Sequence, residues 1–350
     1  GKPYRFVLLQ VVWIIIGLIF FFVFHHVDYR KLFKFSRFLF IFNLVALCFL
    51  AIAGIMPCSN SLEFAPCVNG ANRWFYLNPP PLPQIPFVGV LGFQPGELAK
   101  LTIILYLSFQ LKLIMEKENL GKEKKDLFKT YMKISIMFAG LILLEPNMST
   151  AVIVFFLGTV VYFVSGAPLK PLLASIPIIL LLGVVFIVSS PYRMDRLKVL
   201  ISGGDDTESS YHSKQALVAL GSGGFWGVGF GQSKQKYQYL PEVASDSIFA
   251  IIGEEFGFIG TVAVIVAYSI LISKGFKIAK GSDDLLGKLL ASGITSWLGI
   301  QFLINIASMT KLIPLTGVPI PLISYGGSSM LFSMIGLGIL SSIQKVSELE

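Results

Sequence analysis

The sequence predicts an all-α polytopic integral membrane protein, and three observations predict it. Of 350 residues, 54% are hydrophobic and only 14% are charged, a balance foreign to soluble domains. Apolar runs recur at about the 20-residue length that a helix needs to cross a bilayer core. Lysine and arginine gather in alternate connections between those runs, the pattern that sets membrane orientation.

In order, the runs are 6–24, 37–56, 97–115, 131–145, 149–166, 171–190, 246–273, 285–309 and 328–344, which makes nine visible spans. The third opens on Pro95, a residue suited to the first turn of a helix. The fourth is short, and Glu145-Pro146 either ends it or begins the fifth. Several runs stop at Pro or Gly, as in helices that enter a membrane from buried or cavity-lining loops. The whole of 1–350 reads as a single membrane domain, with a long loop over 191–245 between the sixth and seventh runs.

Arg30, Lys31, Lys34 and Arg37 follow the first run, and Lys117, Lys122, Lys124, Lys125, Lys129 and Lys133 follow the third. Lys170 follows the fifth, and Lys274, Lys277, Lys280 and Lys288 follow the seventh. All four connections fall on one side, the cytoplasm by the positive-inside rule, which puts the C-terminus inside and residue 1 outside. A chain so oriented, opening on Gly1, is expected to have a cytoplasmic tail and a further span upstream, ten in all. The net charge of +8 is carried mainly by these connections, so it speaks for topology and against a nucleic-acid partner.

Every conspicuous motif then falls on the outer side, the 191–245 loop being extracellular. Cys58 and Cys67 lie there, nine positions apart, as a local disulfide or two free thiols, while Cys48 sits inside the second run as a small core residue. No Cys/His ligand pattern exists, and with only His25, His26 and His212 a zinc site or a Ser-His-Asp triad is disfavoured. The outer polar groups are Arg73, Glu97, Lys100, Glu145, Arg193, Arg196, Lys214, Lys234, Lys236, Glu242, Asp246 and Lys311, beside the glycine-rich "GSGGFWGVGFGQSKQK". Many cations and open N–H groups near a membrane suit a phosphorylated, lipid-linked ligand. The bland alternative is that Gly227, Gly229 and Gly231 permit turns and the lysines are solvated. Glu97 and Lys100 stand three positions apart in a first helical turn, as a cap and ion pair or as functional groups.

Seven ordered segments, "NGANRWF", "FQPGELAKL", "EPNMSTA", "YRMDRL", "ALGSGGFWGVGFGQSKQKYQYLPE", "SDSIFAIIGEEFGFIG" and "IPLTGVPIPLISYGGSS", resemble the signatures of the SEDS family (shape, elongation, division and sporulation). The wording "SKQKYQYLPE" is closer to its division branch, FtsW, than to its elongation branch, RodA. The resemblance implies ten spans and a peptidoglycan glycosyltransferase that polymerises lipid II at the outer face of the bacterial cytoplasmic membrane. Its implied partners are a class B penicillin-binding protein and other divisome or elongasome membrane proteins. The family's essential acid sits in a segment written close to "PExHTDFIFA"; here it reads "PEVASDSIFA", so the acid is Asp246, with Ala244-Ser245 for His-Thr and Ser247 for Phe. Further departures are Asn72 for Arg, Gly96 for Ser, Asn147 for Asp, Ser149 for Gly and Lys311 for Gly.

On this resemblance Asp246 is the general base that takes the acceptor hydroxyl's proton in one inverting displacement. Arg73, Lys100, Arg193, Arg196, Lys234 and Lys236 would face the diphosphate, and Glu97, Glu242, Ser324 and Tyr325 complete the substrate-binding set. No cofactor is certain; a divalent cation, Mg or Mn, held by acids is the one considered. Glu254 and Glu255, eight and nine positions after Asp246, line a cavity or, as favoured here, serve structure. The competing functions are a lipid II flippase or transporter and a non-catalytic divisome scaffold.

Overall fold

The computed structural model describes residues 4–60, 62–68, 70–79, 91–116, 123–188, 191–202, 208–238 and 243–349. Its elements run α1 (Tyr4–His26), α2 (Phe33–Ala53), β1 (Cys67–Val68), β2 (Ala71–Asn72), β3 (Phe75–Tyr76), β4 (Gly92–Phe93), α3 (Pro95–Glu116), α4 (Glu123–Leu144) and α5 (Met148–Val164). They continue with α6 (Leu169–Val188), α7 (Pro191–Ser202), α8 (Glu208–Ser222), α9 (Gln235–Gln238), α10 (Ile248–Gly281), α11 (Leu285–Met309) and α12 (Gly327–Leu349). Each predicted apolar run falls on one of these helices. By length and composition, seven segments among the described residues can cross a membrane: Val7–His26, Tyr29–Ala53, Pro95–Glu116, Asp126–Leu144, Ile248–Gly281, Leu285–Met309 and Gly327–Glu348.

Two expectations change. Within the stretch read as one long loop, α7, α8 and α9 are helical, because 191–202 and 208–222 carry few residues that break a helix. Lys274, Lys277 and Lys280 lie on the last turns of α10, not in a connection.

The chain forms two compact units. The first comprises Gly1–Ala167, Ile272–Leu298 and Tyr325–Glu350. In it α3 is buried along most of its length, as an all-round apolar helix must be. Its neighbours are stitched by rings: Phe40 stacks on Tyr106 at 3.9 Å and Tyr131 on Tyr162 at 4.7 Å between centroids. Tyr131 also shares a 2.7 Å hydrogen bond with Thr159, giving its polar tip a partner inside the bundle. Helices α1 and α12 are joined by His25 Nδ1 and Ser341 Oγ at 2.9 Å. After α2, a Cys58–Cys67 disulfide closes the turn before β1, deciding between the two states open to those thiols. Strands β1 and β2 pair antiparallel, Cys67 opposite Asn72, as do β3 and β4, Phe75 opposite Phe93. These short ribbons deliver the chain to the start of α3.

The second unit comprises Pro168–Leu271 and Gly299–Ser324. Its core joins Ala216 and Ala219 of α8 to Phe249, Ala250 and Tyr268 of α10 and Phe302 of α11. At 34 residues α10 would be about 50 Å long if straight, well beyond a bilayer core. It breaks at Gly257, whose φ of 64° and ψ of −157° lie outside the helical region and suit glycine. The glycine-rich segment fills that break: Val228 and Gly229 N–H donate to the carbonyls of Glu254 and Glu255 at 2.9 and 3.0 Å, and Phe258 N–H donates to Gly224 O at 2.9 Å. Gly227, at φ 84°, comes so close that a Cβ would stand 2.2 Å from Glu255 O. The N–H groups of Val228 and Gly229 are thus taken up by backbone pairing.

Candidate functional site

In the first unit, the starts of three helices meet. Gln94 N–H, just before α3, donates to Ser328 Oγ at the head of α12 (3.0 Å). A Cβ on Gly96 would lie 3.3 Å from Thr150 Cγ2 in the first turn of α5. Asn147 caps α5, its side chain accepting from Thr150 N–H at 3.3 Å, so the Asn in place of the family's usual Asp keeps the cap and lacks the charge. Three positive dipole ends gathered in one place favour anions.

Arg73, two residues before β3, reaches the α4–α5 joint. Its Nε donates to Glu145 O at 3.1 Å and its Nη2 to Pro146 O at 2.7 Å. Glu145 is buried at 1% exposure, and neither carboxyl oxygen has a hydrogen-bond partner among the described residues. Lys100 Nζ bonds Glu97 Oε1 at 2.6 Å with its side chain fully buried, and it lies 5.7 Å from the centroid of the Trp297 ring. Glu97 Oε2 has no partner among the described residues. The pair is thus an interior ion pair, and a ligand reaching Lys100 would have to compete with Glu97.

In the second unit, Asp246 precedes α10 and is buried at 6% exposure. Asn305 on α11 donates from Nδ2 to the carbonyl oxygens of Asp246 and Val318, both at 2.7 Å. Gln301 donates to Pro319 O at 2.9 Å, and Ser308 Oγ accepts from Thr316 N–H at 3.1 Å. Positions 301, 305 and 308 share one helical face, and together they satisfy the main chain of a proline-rich segment that cannot form a regular ladder. One oxygen of the Asp246 carboxyl, Oδ1, accepts from Ser247 Oγ at 3.4 Å, and Ser247 Oγ is 2.7 Å from Nε2 of the buried His212 on α8. The other, Oδ2, is turned to Gly317, where an added Cβ would lie 3.6 Å away.

The remaining candidates are dispersed. Arg196 on α7 donates to Leu315 O at 2.8 Å and lines a small cavity with Ser213 and Lys311. The main chain of Lys234 donates to Glu254 Oε1 at 3.0 Å, and Ser233 Oγ donates to its Oε2 at 2.5 Å. Lys236 Nζ stands 3.7 Å from Glu255 Oε1. Glu254 therefore caps the turn into α9. Ser324 Oγ accepts from Ile320 N–H at 2.8 Å, and Tyr325 is half-buried at the approach to α12. Arg193 lies on α7, but its side chain, like the whole of Glu242, falls outside the described residues. An apolar groove of about 430 Å³ runs between Ala263, Val264, Ala267, Tyr268 and Leu271 of α10 and Leu322-Ile323.

Sequence reasoning singled out Asp246 and missed the partners that hold it. Gln301, Asn305 and Ser308 carried a legible signal, polar side chains at i, i+4 and i+7 in an apolar run. His212 carried none, because nothing in the chain order links it to a residue 35 positions away.

The FtsW/RodA/SpoVE family model, described as "Cell cycle protein", matches residues 1–349. A relative from Geobacter sp. (strain M18), named "Probable peptidoglycan glycosyltransferase FtsW", is 31% identical over 336 residues, covering 95% of this chain and 85% of its own. "Stage V sporulation protein E" of Bacillus subtilis (strain 168) is 36% identical over 265 residues, 74% of this chain and 70% of its own. Among solved structures, a chain from work titled "Structural coordination of polymerization and crosslinking by a peptidoglycan synthase complex" superposes with a TM-score of 0.77 at 25% identity, over 100% of this chain and 92% of that one. With a family match over nearly its whole length, the helical chain that carries the buried Asp246 belongs to the FtsW/RodA/SpoVE family of cell cycle proteins.

Proposed function

We propose that this chain is a peptidoglycan glycosyltransferase that polymerises lipid II into β-1,4 glycan strands at the outer face of the cytoplasmic membrane, in cell division or cell-shape maintenance. A class B penicillin-binding protein supplies the transpeptidase alongside it, with other divisome or elongasome membrane proteins. The C-terminus is cytoplasmic, as the lysine and arginine distribution favours. The observation that carries the reading is Asp246, a buried carboxyl whose main chain is clamped by Asn305 and whose Oδ1 is engaged by Ser247.

Chain elongation requires the acceptor sugar's hydroxyl to lose its proton as its oxygen attacks the donor's anomeric carbon. Asp246 accepts that proton, the C–O bond to the polyprenyl diphosphate breaks, and the diphosphate leaves with the electron pair. One displacement inverts an α donor to a β product, so one base suffices and no covalent intermediate is needed. Arg196, Lys234 and Lys236, in the unit that carries Asp246, suit the diphosphate's charge. The apolar groove along α10 suits an isoprenoid chain. Among the described residues no three His, Cys, Asp or Glu side chains come together as metal ligands.

The test incubates purified protein, alone and with its penicillin-binding partner, with labelled lipid II in liposomes, scoring polymer and translocation separately. Polymer from the native chain and none from a folded Asp246→Asn variant is the expected result. Polymer retained by that variant removes Asp246 from the mechanism, and translocation without polymer replaces the reading with a flippase.

A further inference from the structure

Lys311 closes α11 with φ at 58°, in the left-handed region that favours glycine and where the family usually has glycine. A positive charge is favourable at a helix C-terminus, yet a lysine within the last turn of α11 would supply it on a relaxed backbone, and that turn holds no basic residue. Strained positions gather where a side chain has a task, so the lysine's side chain is the place to look for the reason. Lys311 lines a recess of about 10 Å³ in the second unit, together with Arg196, Ser213 and Leu315. That is room for one water-sized atom, such as a single phosphoryl oxygen. Among the described residues the Lys311 ammonium enters no ion pair, whereas the charge of Lys236 is answered by Glu255 at 3.7 Å.

The recess and the carboxyl of Asp246 border one short segment. Arg196 Nη1 donates to Leu315 O at 2.8 Å. Two residues on, the exposed Gly317 faces Asp246 Oδ2, where an added Cβ would stand 3.6 Å away. Two residues of main chain span at most about 7 Å. We infer that Arg196 and Lys311 form the subsite that seats a phosphoryl oxygen of the diphosphate leaving group, with Lys311 a cation that this chain adds where its family has none. The inference rests on Asp246 being the general base of the polymerase.

In the displacement the acceptor oxygen bonds the donor's anomeric carbon while its proton passes to Asp246, and the bond from that carbon to the diphosphate oxygen breaks with its electron pair on the oxygen. The diphosphate gains one negative charge in that step. Base and leaving group lie on opposite sides of the reacting carbon, and in inverting glycosidases the two protein groups that serve them stand about 6.5–9.5 Å apart. A recess at one end of a two-residue segment and a base at the other meet that scale. A guanidinium offers paired donors to phosphate oxygens, and an ammonium beside it adds a compact charge. Val199 and Ile313 give the recess apolar walls, which strengthen the attraction between those cations and an anion. Because the charge they face grows as the bond breaks, the two act more strongly on the transition state than on bound substrate.

The experiment measures kcat and KM for polymerisation of labelled lipid II by the full chain with its penicillin-binding partner. Separately, it measures binding of farnesyl diphosphate to the purified chain in detergent, with farnesol as the uncharged counterpart. The variants are Lys311→Gly, Lys311→Gln and Lys311→Arg. Lys311→Gly relieves the strained backbone, so its loss of function is not a loss of fold, and an unfolding temperature at or above the native one is the control. Expected in Lys311→Gly and Lys311→Gln are a kcat about tenfold lower with KM changed by less than about threefold. Farnesyl diphosphate binding should weaken about fivefold in both, with farnesol binding unchanged. Lys311→Arg, which keeps the charge, should stay within about threefold of the native kcat. A native kcat or native farnesyl diphosphate binding in Lys311→Gly overturns the proposal, as does an equal loss in Lys311→Arg. Equal weakening of farnesol and farnesyl diphosphate would place the effect on the lipid chain and overturn it too. If Asp246→Asn remains active, the parent reading fails; if it is dead while Lys311→Gly behaves as native, only the subsite fails.

Discussion

Lys100 Nζ lies 2.6 Å from Glu97 Oε1, with the lysine side chain fully buried in the first unit. Two opposite charges three positions apart have been withdrawn from water on a helix that is buried nearly throughout. Their desolvation is compensated only while both are present. Replacing Lys100 by Met, or Glu97 by Gln, is expected to destabilise the protein by about 3–5 kcal/mol for the lysine change, which strands an anion, and less for the glutamate change, which strands a cation next to a neutral amide. The double variant Glu97→Leu/Lys100→Met should recover much of that loss. Thermal unfolding in detergent checks this, and strictly additive effects would show that the pair does not act as one.

Lys311 closes α11 in the left-handed region at φ 58°. Its N–H bonds Ser308 O at 3.2 Å and the next N–H, of Leu312, bonds Ala307 O at 2.8 Å. That is the Schellman arrangement, whose central position prefers glycine, the residue the family usually has here. Lys311→Gly is expected to raise stability by about 1 kcal/mol, and Lys311→Ala to give no such gain. A higher unfolding temperature for glycine alone is the outcome to look for. Loss of polymerisation in that stabilised variant would assign the lysine's charge to the reaction.

Asp284, in the connection between α10 and α11, answers to pH. Burial pushes its carboxyl up, but the Gly287 N–H at 2.6 Å, the Tyr29 hydroxyl at 3.0 Å and the nearby Lys112 and Arg30 charges pull it down further, leaving it below its ordinary value of 3.8. A folded carboxyl more acidic than its unfolded counterpart adds stability above the unfolded value, and that contribution is lost as pH falls through the folded one. Asp284→Ala, which also removes the cap of α11, should cost about 1 kcal/mol at neutral pH. The difference from the native chain should shrink as the solution is acidified below about pH 4. A difference constant with pH would mean that the carboxylate's charge contributes nothing.

Much of the architecture could be read from residue order, because a membrane helix announces itself by length and composition. Runs such as 97–115 and 285–309 have no polar alternative, and their helices follow at nearly those limits. Asp246 was legible too, since an acid opening an apolar run stands out and the seven signature segments point to it. The stretch 191–245 was not: its residues suit water and membrane surface alike, so local composition could not reveal that α8 packs on α10 or that the glycine segment fills the gap at Gly257.

What the sequence determined by itself is thus the set of apolar helices and the acid at the head of one of them, because hydrophobic run length and charge placement act locally along the chain. The tertiary structure alone decided what surrounds that acid. Asn305 clamps its main chain from 59 positions away and His212 reaches Ser247 across 35, and such pairings arise only when helices pack and every buried polar group must find a partner.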